Sequence, residues 1–429
     1  MGRRCWPRLL LVLLLTALAG CSRAPDANEL QFWTIQLSPK FDPLINSMLR
    51  EWEQQHPGMR VRWTDLPFGS VERKLLAAVF ARTAPDVVNL NPLFAANLAS
   101  KGGLLPLQQQ LSPQTRASYL PRVLQAAEQE GELYALPWYL TARITLANQR
   151  LLRQAGYARP PQRWEEVPAY AEAVKRRTGR YALFVTVVPD GSAELLESLV
   201  QMGVQLVDDR QRARFNSPAG RRAFAFWTDL YRRGLLPREV VSQGFRRAIE
   251  LYQSGELAQL ASGAEFLATI KTNAPQVAAD TVPYPPLTGA DGAANVAVMN
   301  LAISRQSRHP KLAVDLASFI TNPRNQLRFA QAARVLPSSA PALGTLEREL
   351  KAAQGAADGA NTLVGRARLL SADTLQRARV LVPADPGVKR LQAILYGQLQ
   401  RAMLGQLSSD TALAEAERHW NAYATARWP

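Results

Sequence analysis

The chain has 429 residues, 47% hydrophobic and 20% charged, which is the make-up of an ordinary globular protein long enough for two or three domains or lobes. Its net charge of +16 is compatible with nucleic acid, an anionic membrane surface or anionic ligands. A dedicated nucleic-acid site is argued against, because the arginines are scattered and the densest pairs (Arg176-Arg177, Arg221-Arg222, Arg232-Arg233, Arg246-Arg247) fall on helical patterns as solvated faces.

Arg3, Arg4 and Arg8 precede the apolar run Leu9–Gly20, and Cys21 follows it. A positive segment, a short apolar segment and small residues before a cut make a secretory signal peptide. The run has 12 residues, short of the roughly 20 that span a bilayer. Leu18-Ala19-Gly20-Cys21 resembles the bacterial lipobox, which implies cutting before Cys21, acylation of that residue and export. The alternative is an ordinary signal peptide with a chance cysteine. Losing residues 1–20 removes three arginines and Cys5, leaving a net charge of +13 and Cys21 as the remaining cysteine, so no disulfide is expected.

Residues 21–28 read as a polar tether. Leu30–Ile35 is aromatic and β-branched, a strand. Asp42-Pro43 offers a helix cap with proline in the first turn; Leu44, Ile45, Met48, Leu49 and Trp52 form its apolar stripe, and His56-Pro57-Gly58 stops it. Met59, Val61 and Trp63 alternate with arginines as a second strand. Val71–Arg82 is helical and Pro85–Leu90 a buried strand. Strand, helix, strand, helix, strand predicts a parallel α/β sheet. Further on, Ile144–Asn148 and Tyr181–Val188 read as strands, and Trp164–Arg177, Glu194–Met202 and Pro218–Arg233 as helices. Pro275–Thr288 is loop-like, and Asn295–Ile303 is a strand returning to the core. His309-Pro310 opens a helix, and from about 345 the chain is mostly helical.

Catalytic and metal signatures are missing. His56, His309 and His419 stand far apart, and no Cys/His cluster has zinc spacing. There is no phosphate-cradling Gly-x-x-x-x-Gly-Lys, no Gly-x-Ser-x-Gly elbow and no Gly-x-Gly-x-x-Gly after a strand. Glu165-Glu166 and Asp208-Asp209 could serve a glycosidase, but adjacent carboxylates are more often helix-terminal or surface charges. No cofactor, metal or catalytic residue is expected.

Several segments in order resemble the extracellular solute-binding proteins (family 1, sugar and glycerol-phosphate type) of ABC importers. They are Leu30–Thr34, the helix-then-strand Glu51–Val61 with Pro57-Gly58, Thr83-Ala84-Pro85-Asp86-Val87-Val88, Gly103–Leu107, Gly131–Trp138, Arg163–Glu166, Ser307–Pro310 and Arg334–Pro337. Thr83 and Arg163 depart from the family's usual glycine and threonine. Where the family often carries a ligand-stacking tryptophan, this chain has Glu265 with Phe266 beside it, and Ala261-Ser262-Gly263 is closer to the branch that takes glycerol phosphates and related polyols.

The resemblance implies an α/β fold of two lobes, each a mostly parallel sheet flanked by helices, with hinge crossings and a helical C-terminal region. Lobe one would be 29–143 with 298–345, and lobe two 144–297 with 346–429. Ligand would lie in the cleft, beyond the strand ends. The candidates are Trp33, Thr34, Phe68, Asn91, Trp138, Tyr139, Ser262, Gly263, Glu265, Phe266, Asn300 and Arg334. Rings would cover the apolar face of a sugar while amides, carboxylates and arginine hold its hydroxyls. Trp33 and Trp138 would stack; the competing reading packs each in the core, as expected of Trp52 and Trp227. Asn91 and Asn300 could equally be turn formers.

The implied protein is a monomeric lipoprotein, held by Cys21 in the periplasm or at the cell surface. It would pass a sugar, oligosaccharide or glucosylated polyol to an ABC permease. The alternatives are a glycerol-phosphate or phosphodiester binder using Arg143 and Arg334, an exported carbohydrate-active enzyme, and a sensor or scaffold that keeps the fold.

Overall fold

The computed structural model describes residues 27–129, 131–189, 193–354, 363–382, 385 and 387–428. The signal peptide 1–20, Cys21 and most of the tether lie outside the described residues, as does the side chain of Phe68.

Strands β1 (Glu29–Ile35) and β2 (Arg60–Leu66) pair in parallel, joined by the helix Asp42–Gln55. That helix buries Ile45, Met48, Leu49 and Trp52, the one-sided stripe of a helix laid on a sheet. Phe41 takes the capping position without a side-chain bond, and Asp42 falls in the first turn, where the helix dipole favours an acid. Gly58, at φ +90°, turns the chain into β2. The helix Phe68–Phe80 then leads to β3 (Val87–Leu90), parallel to β1 on its other side.

Thereafter the pairing changes sense. A two-residue hairpin, β4 (Glu128–Gln129) and β5 (Glu132–Leu133), precedes β6 (Ala135–Ala142) and β7 (Ile144–Asn148). Later come β8 (Gln259–Ser262), β9 (Thr281–Tyr284), β10 (Ala294–Ile303), β11 (Leu336–Pro337) and β12 (Ala378–Arg379). The first sheet has the order β11-β6-β10-β3-β1-β2, with β12 beside β10. β10 is antiparallel to both β3 and β6, so this sheet is mixed. The second sheet, β8-β7-β9, is antiparallel throughout.

Two segments differ from the sequence expectation. Tyr181–Val188 is buried and extended but joins no ladder. Its backbone bonds are scattered, with Tyr181 and Ala182 carbonyls accepting from Ala258 and Gln259, and Val187 N–H donating to Val240. Pro275–Thr288 is not a plain loop: it holds the helix Pro275–Asp280 and β9. Pro275 opens that helix, and Pro283 is tolerated because β9 is an edge strand.

Apolar residues gather into two principal cores, which make the two lobes. One joins Leu30, Phe32, Trp52, Trp138, Val296, Leu301, Leu316 and Phe329. The other joins Leu146, Tyr170, Phe224, Trp227, Leu260, Leu395 and Trp420. The helix Leu363–Leu375 serves both, giving Ala367 to the second and Ala372 and Leu375 to the first.

β6 and β10 overrun the parallel strands. Leu90, the last residue of β3, lies opposite Asn300, which faces Pro137. Beyond that row the β6–β10 ribbon continues as far as Ala142 opposite Val296, and Arg143 then carries the chain into β7. This sets Tyr139 at the carboxyl edge of β1, β2 and β3, the edge where open α/β sheets place ligands. The register slips between Met299 and Asn300, leaving Trp138 without a partner on β10, a bulge of the kind that re-aims side chains.

Candidate ligand-binding cleft

The first lobe offers Trp33, Thr34, Asp65 and Tyr139 at this edge. Trp33 is half-buried against the cluster of Ile35, Leu66 and Val71, on which Met299 also packs. Thr34 is wholly buried and not a free ligand group: its hydroxyl donates to Asp65 Oδ1 at 2.6 Å and accepts from Trp63 Nε1 at 2.7 Å. Asp65 also accepts the Leu37 N–H at 3.0 Å and the Ser38 N–H at 3.2 Å.

The second lobe contributes the end of β8. Ser262 is buried and its Oγ has no partner. The Glu265 carboxylate folds back over Gly263, into the space a Cβ would occupy there. Burial pushes Glu265 up to about 7, against the opposing pull of its own backbone N–H and of Arg143. Burial also raises Tyr139, and the carboxylates of Asp65 and Glu265 add to the effect. The phenol therefore keeps its proton as a hydrogen-bond donor, under the influence of one acid from each lobe.

Arg143 stands where β6 passes into β7. Its guanidinium meets Glu194 at 3.1 Å and Glu197 at 3.0 Å, both on the helix Glu194–Gln201. Asn295, at the start of β10, donates to Glu197 at 2.7 Å and accepts the Leu381 N–H at 3.1 Å. Burial raises Glu197, with Arg143 opposing. A cavity of about 60 Å³ adjoins this network, lined in part by Arg143, Thr145, Trp164, Gln259, Leu287 and Asn295. The Gln259 Oε1 is buried there without a partner.

The remaining sequence candidates take other places. Trp138, expected to stack on ligand, is 1% exposed and packs between Phe32, Tyr139 and Phe329 in the first core; the bulge turns it inward. Asn91 is a helix cap, its Oδ1 accepting from Phe94 N–H at 2.8 Å. Asn300 is 1% exposed within the sheet; its carbonyl accepts from Asn89 Nδ2 at 3.0 Å, and its own Oδ1 has no partner. Phe266 lies edge-on to Phe245, 6.2 Å between centroids, at the margin of the second core. Arg334 ends the helix Pro323–Ala333 in the left-handed region at φ +62°. It lies near Arg368, whose guanidinium is destabilised by burial first and by Arg334 second. Phe68 begins its helix, and its side chain is outside the described residues.

Asp65 was missed by the sequence reading, although its place at the end of the Met59–Trp63 pattern obeys the same strand-end rule. Arg143 was noticed only as a phosphate ligand. Its position as the single charge between two apolar strands was the available signal for a crossing residue.

A family model for bacterial extracellular solute-binding proteins matches residues 38–327. A Synechococcus sp. MITs9220 structure, provisionally described as an oligosaccharide periplasmic-binding protein, is 66% identical, covers 93% of this chain and 100% of its own, and superimposes with a TM-score of 0.88. A zinc complex from the same organism is 67% identical, with the same coverage and a TM-score of 0.89. Among the described residues here, no group of three or more His, Cys, Asp or Glu could hold a metal. The mannitol-binding protein of Pseudomonas aeruginosa is 24% identical over 408 residues, covering 87% of this chain and 88% of that protein. Since the family model spans well over half of the sequence, and a structure of high identity shares the whole two-lobed fold, the chain belongs to the bacterial extracellular solute-binding proteins.

Proposed function

We propose that this protein captures a neutral sugar, oligosaccharide or polyol between its lobes and passes it to the permease of an ABC importer. The observation that carries the reading is the cross-cleft set of Asp65 and Tyr139 from one lobe and Glu265 and Ser262 from the other, with the half-buried Trp33 ring at the same sheet edge. A ring for a C–H face and oxygen groups for hydroxyls are what a polyol needs. Ligand contacts are assigned to Trp33, Tyr139, Ser262 and Glu265, with Asp65 holding Thr34 in place. The provisional description of the similar Synechococcus structure as an oligosaccharide-binding protein, and the name of the mannitol-binding relative, accord with this assignment.

The phosphate-ester reading is weaker, because the charge of Arg143 is already matched by two glutamates. Anchoring through a lipidated Cys21, outside the membrane and as a monomer, completes the proposal. The two cores support lobes close to 29–143 with 298–345 and 144–297 with 346–429, with Ala294, Val296, Leu346, Leu350, Ala372, Leu375 and Ala378 moved to the first.

The test is thermal unfolding of residues 22–429 against maltooligosaccharides, mannitol and glycerol 3-phosphate. A ligand at 100 times its dissociation constant adds about 2.7 kcal/mol of stability. A shift with a neutral compound, lost in Trp33→Ala, is expected. A shift with glycerol 3-phosphate alone overturns the neutral-ligand reading.

A further inference from the structure

The lobes also touch away from the crossing segments. The helix Phe68–Phe80 belongs to the first lobe, rooted by Val71 and Leu75 among Ile35, Leu66, Val88 and Leu90. The helix Val388–Met403 belongs to the second, rooted by Val388, Leu391 and Leu395. Between them the Lys389 ammonium pairs with the Glu72 carboxylate. The same ammonium stands 6.0 Å from the ring centroid of Phe94, on the first-lobe helix Pro92–Ala99. The neighbouring Leu93 packs against the core of the second lobe.

We propose that Glu72 and Lys389, seated beside Leu93 and Phe94, are a latch that holds the two lobes in the closed arrangement. The proposal rests on the reading of the protein as a hinged capture device. None of the four residues lies on a crossing segment, so rotation of one lobe about the hinge must part them. Both partners of the pair are partly open to solvent, with side-chain exposures of 37% and 52%, so the charges return to water when the lobes separate. Such a pair contributes little by itself, which suits a contact that must break in every cycle of capture and release. The cation over the Phe94 ring and the apolar seat of Leu93 give the pair a fixed partner surface.

The chain from residue 22 onward has no cysteine, so one spin label can be placed on each lobe through Lys101→Cys and Arg222→Cys, both exposed. Inter-label distances are measured without ligand for the parent, Lys389→Glu, Glu72→Lys and the double exchange. The closed-to-open ratio should fall by up to about five-fold in each single variant and recover in the exchange. It should also fall as salt screens the pair. Identical distance distributions in all four proteins, or an exchange no better than the single variants, overturn the latch. Circular dichroism and the unfolding midpoint of each variant confirm that the compared proteins are folded. No ligand is needed, so a failure to bind any sugar leaves this result standing, and a failed latch leaves the ligand panel unaffected.

Discussion

Glu265→Gln isolates the most unusual carboxyl of the cleft. In the native protein burial pushes this group from 4.5 up to about 7; in the unfolded chain it returns to the ordinary range. The native state therefore holds the proton more tightly than the unfolded state. Its contribution is fully present below about pH 4.5 and is lost as pH rises through about 7. At 1.36 kcal/mol per unit, and discounted because the residue is only partly buried, the group removes about 2–3 kcal/mol between those limits. Glutamine carries no such dependence. Urea unfolding of residues 22–429 and of the variant, from pH 4.5 to pH 8, gives two stability curves whose difference cancels the other titrating groups, Glu197 included. That difference should move by about 2–3 kcal/mol in favour of glutamine as pH rises. A difference flat to within about 0.5 kcal/mol would show that Glu265 is not held in a desolvated site, and would remove the cross-cleft set with it.

The two tryptophans should separate cleanly. Trp138→Ala empties a core position and should lose about 3–5 kcal/mol in denaturant, whereas Trp33→Ala should lose far less stability and show its effect in ligand titration. Equal losses would merge their roles. Arg143→Met leaves Glu194 and Glu197 buried without their cation and should cost about 3–5 kcal/mol at neutral pH, with partial recovery as acid protonates them; a small, pH-independent cost would refute the pairing. Thr34→Val keeps the shape but strips Trp63 Nε1 of its acceptor and Asp65 of a donor, a loss of about 1–3 kcal/mol measurable by chemical unfolding.

Local pattern carried much of the architecture. The apolar spacing of Leu44–Trp52, the proline at 43 and the glycine at 58 specify a helix and its end from residues within reach of one another. The alternation around Arg60 and Arg62 does the same for β2. Ser262 and Glu265 were marked by the family resemblance, whereas Tyr139, expected just past a strand, lies inside β6, which runs to Ala142. What the linear chain left open was the direction in which equivalent side chains point. Trp33 and Trp138 look alike as aromatic residues at strand ends, yet the slip opposite Met299 and Asn300 turns Trp138 into the core while Trp33 stays half-buried.

The sense of pairing was equally hidden. β10 is apolar enough to sit at the centre of either a parallel or an antiparallel sheet, and only its neighbours β3 and β6 decide which. Charges depended most on the fold. Arg143 in sequence reads as a cation suited to phosphate, but Glu194 and Glu197 reach it from 51 residues away and beyond, and Asn295 in turn donates to Glu197. Secondary structure rests on contacts a few residues apart, which composition and periodicity encode directly. The protonation of Glu265, the pairing of Arg143 and the meeting of Glu72 with Lys389 depend on groups brought together by chain closure, and so the tertiary structure alone determined them.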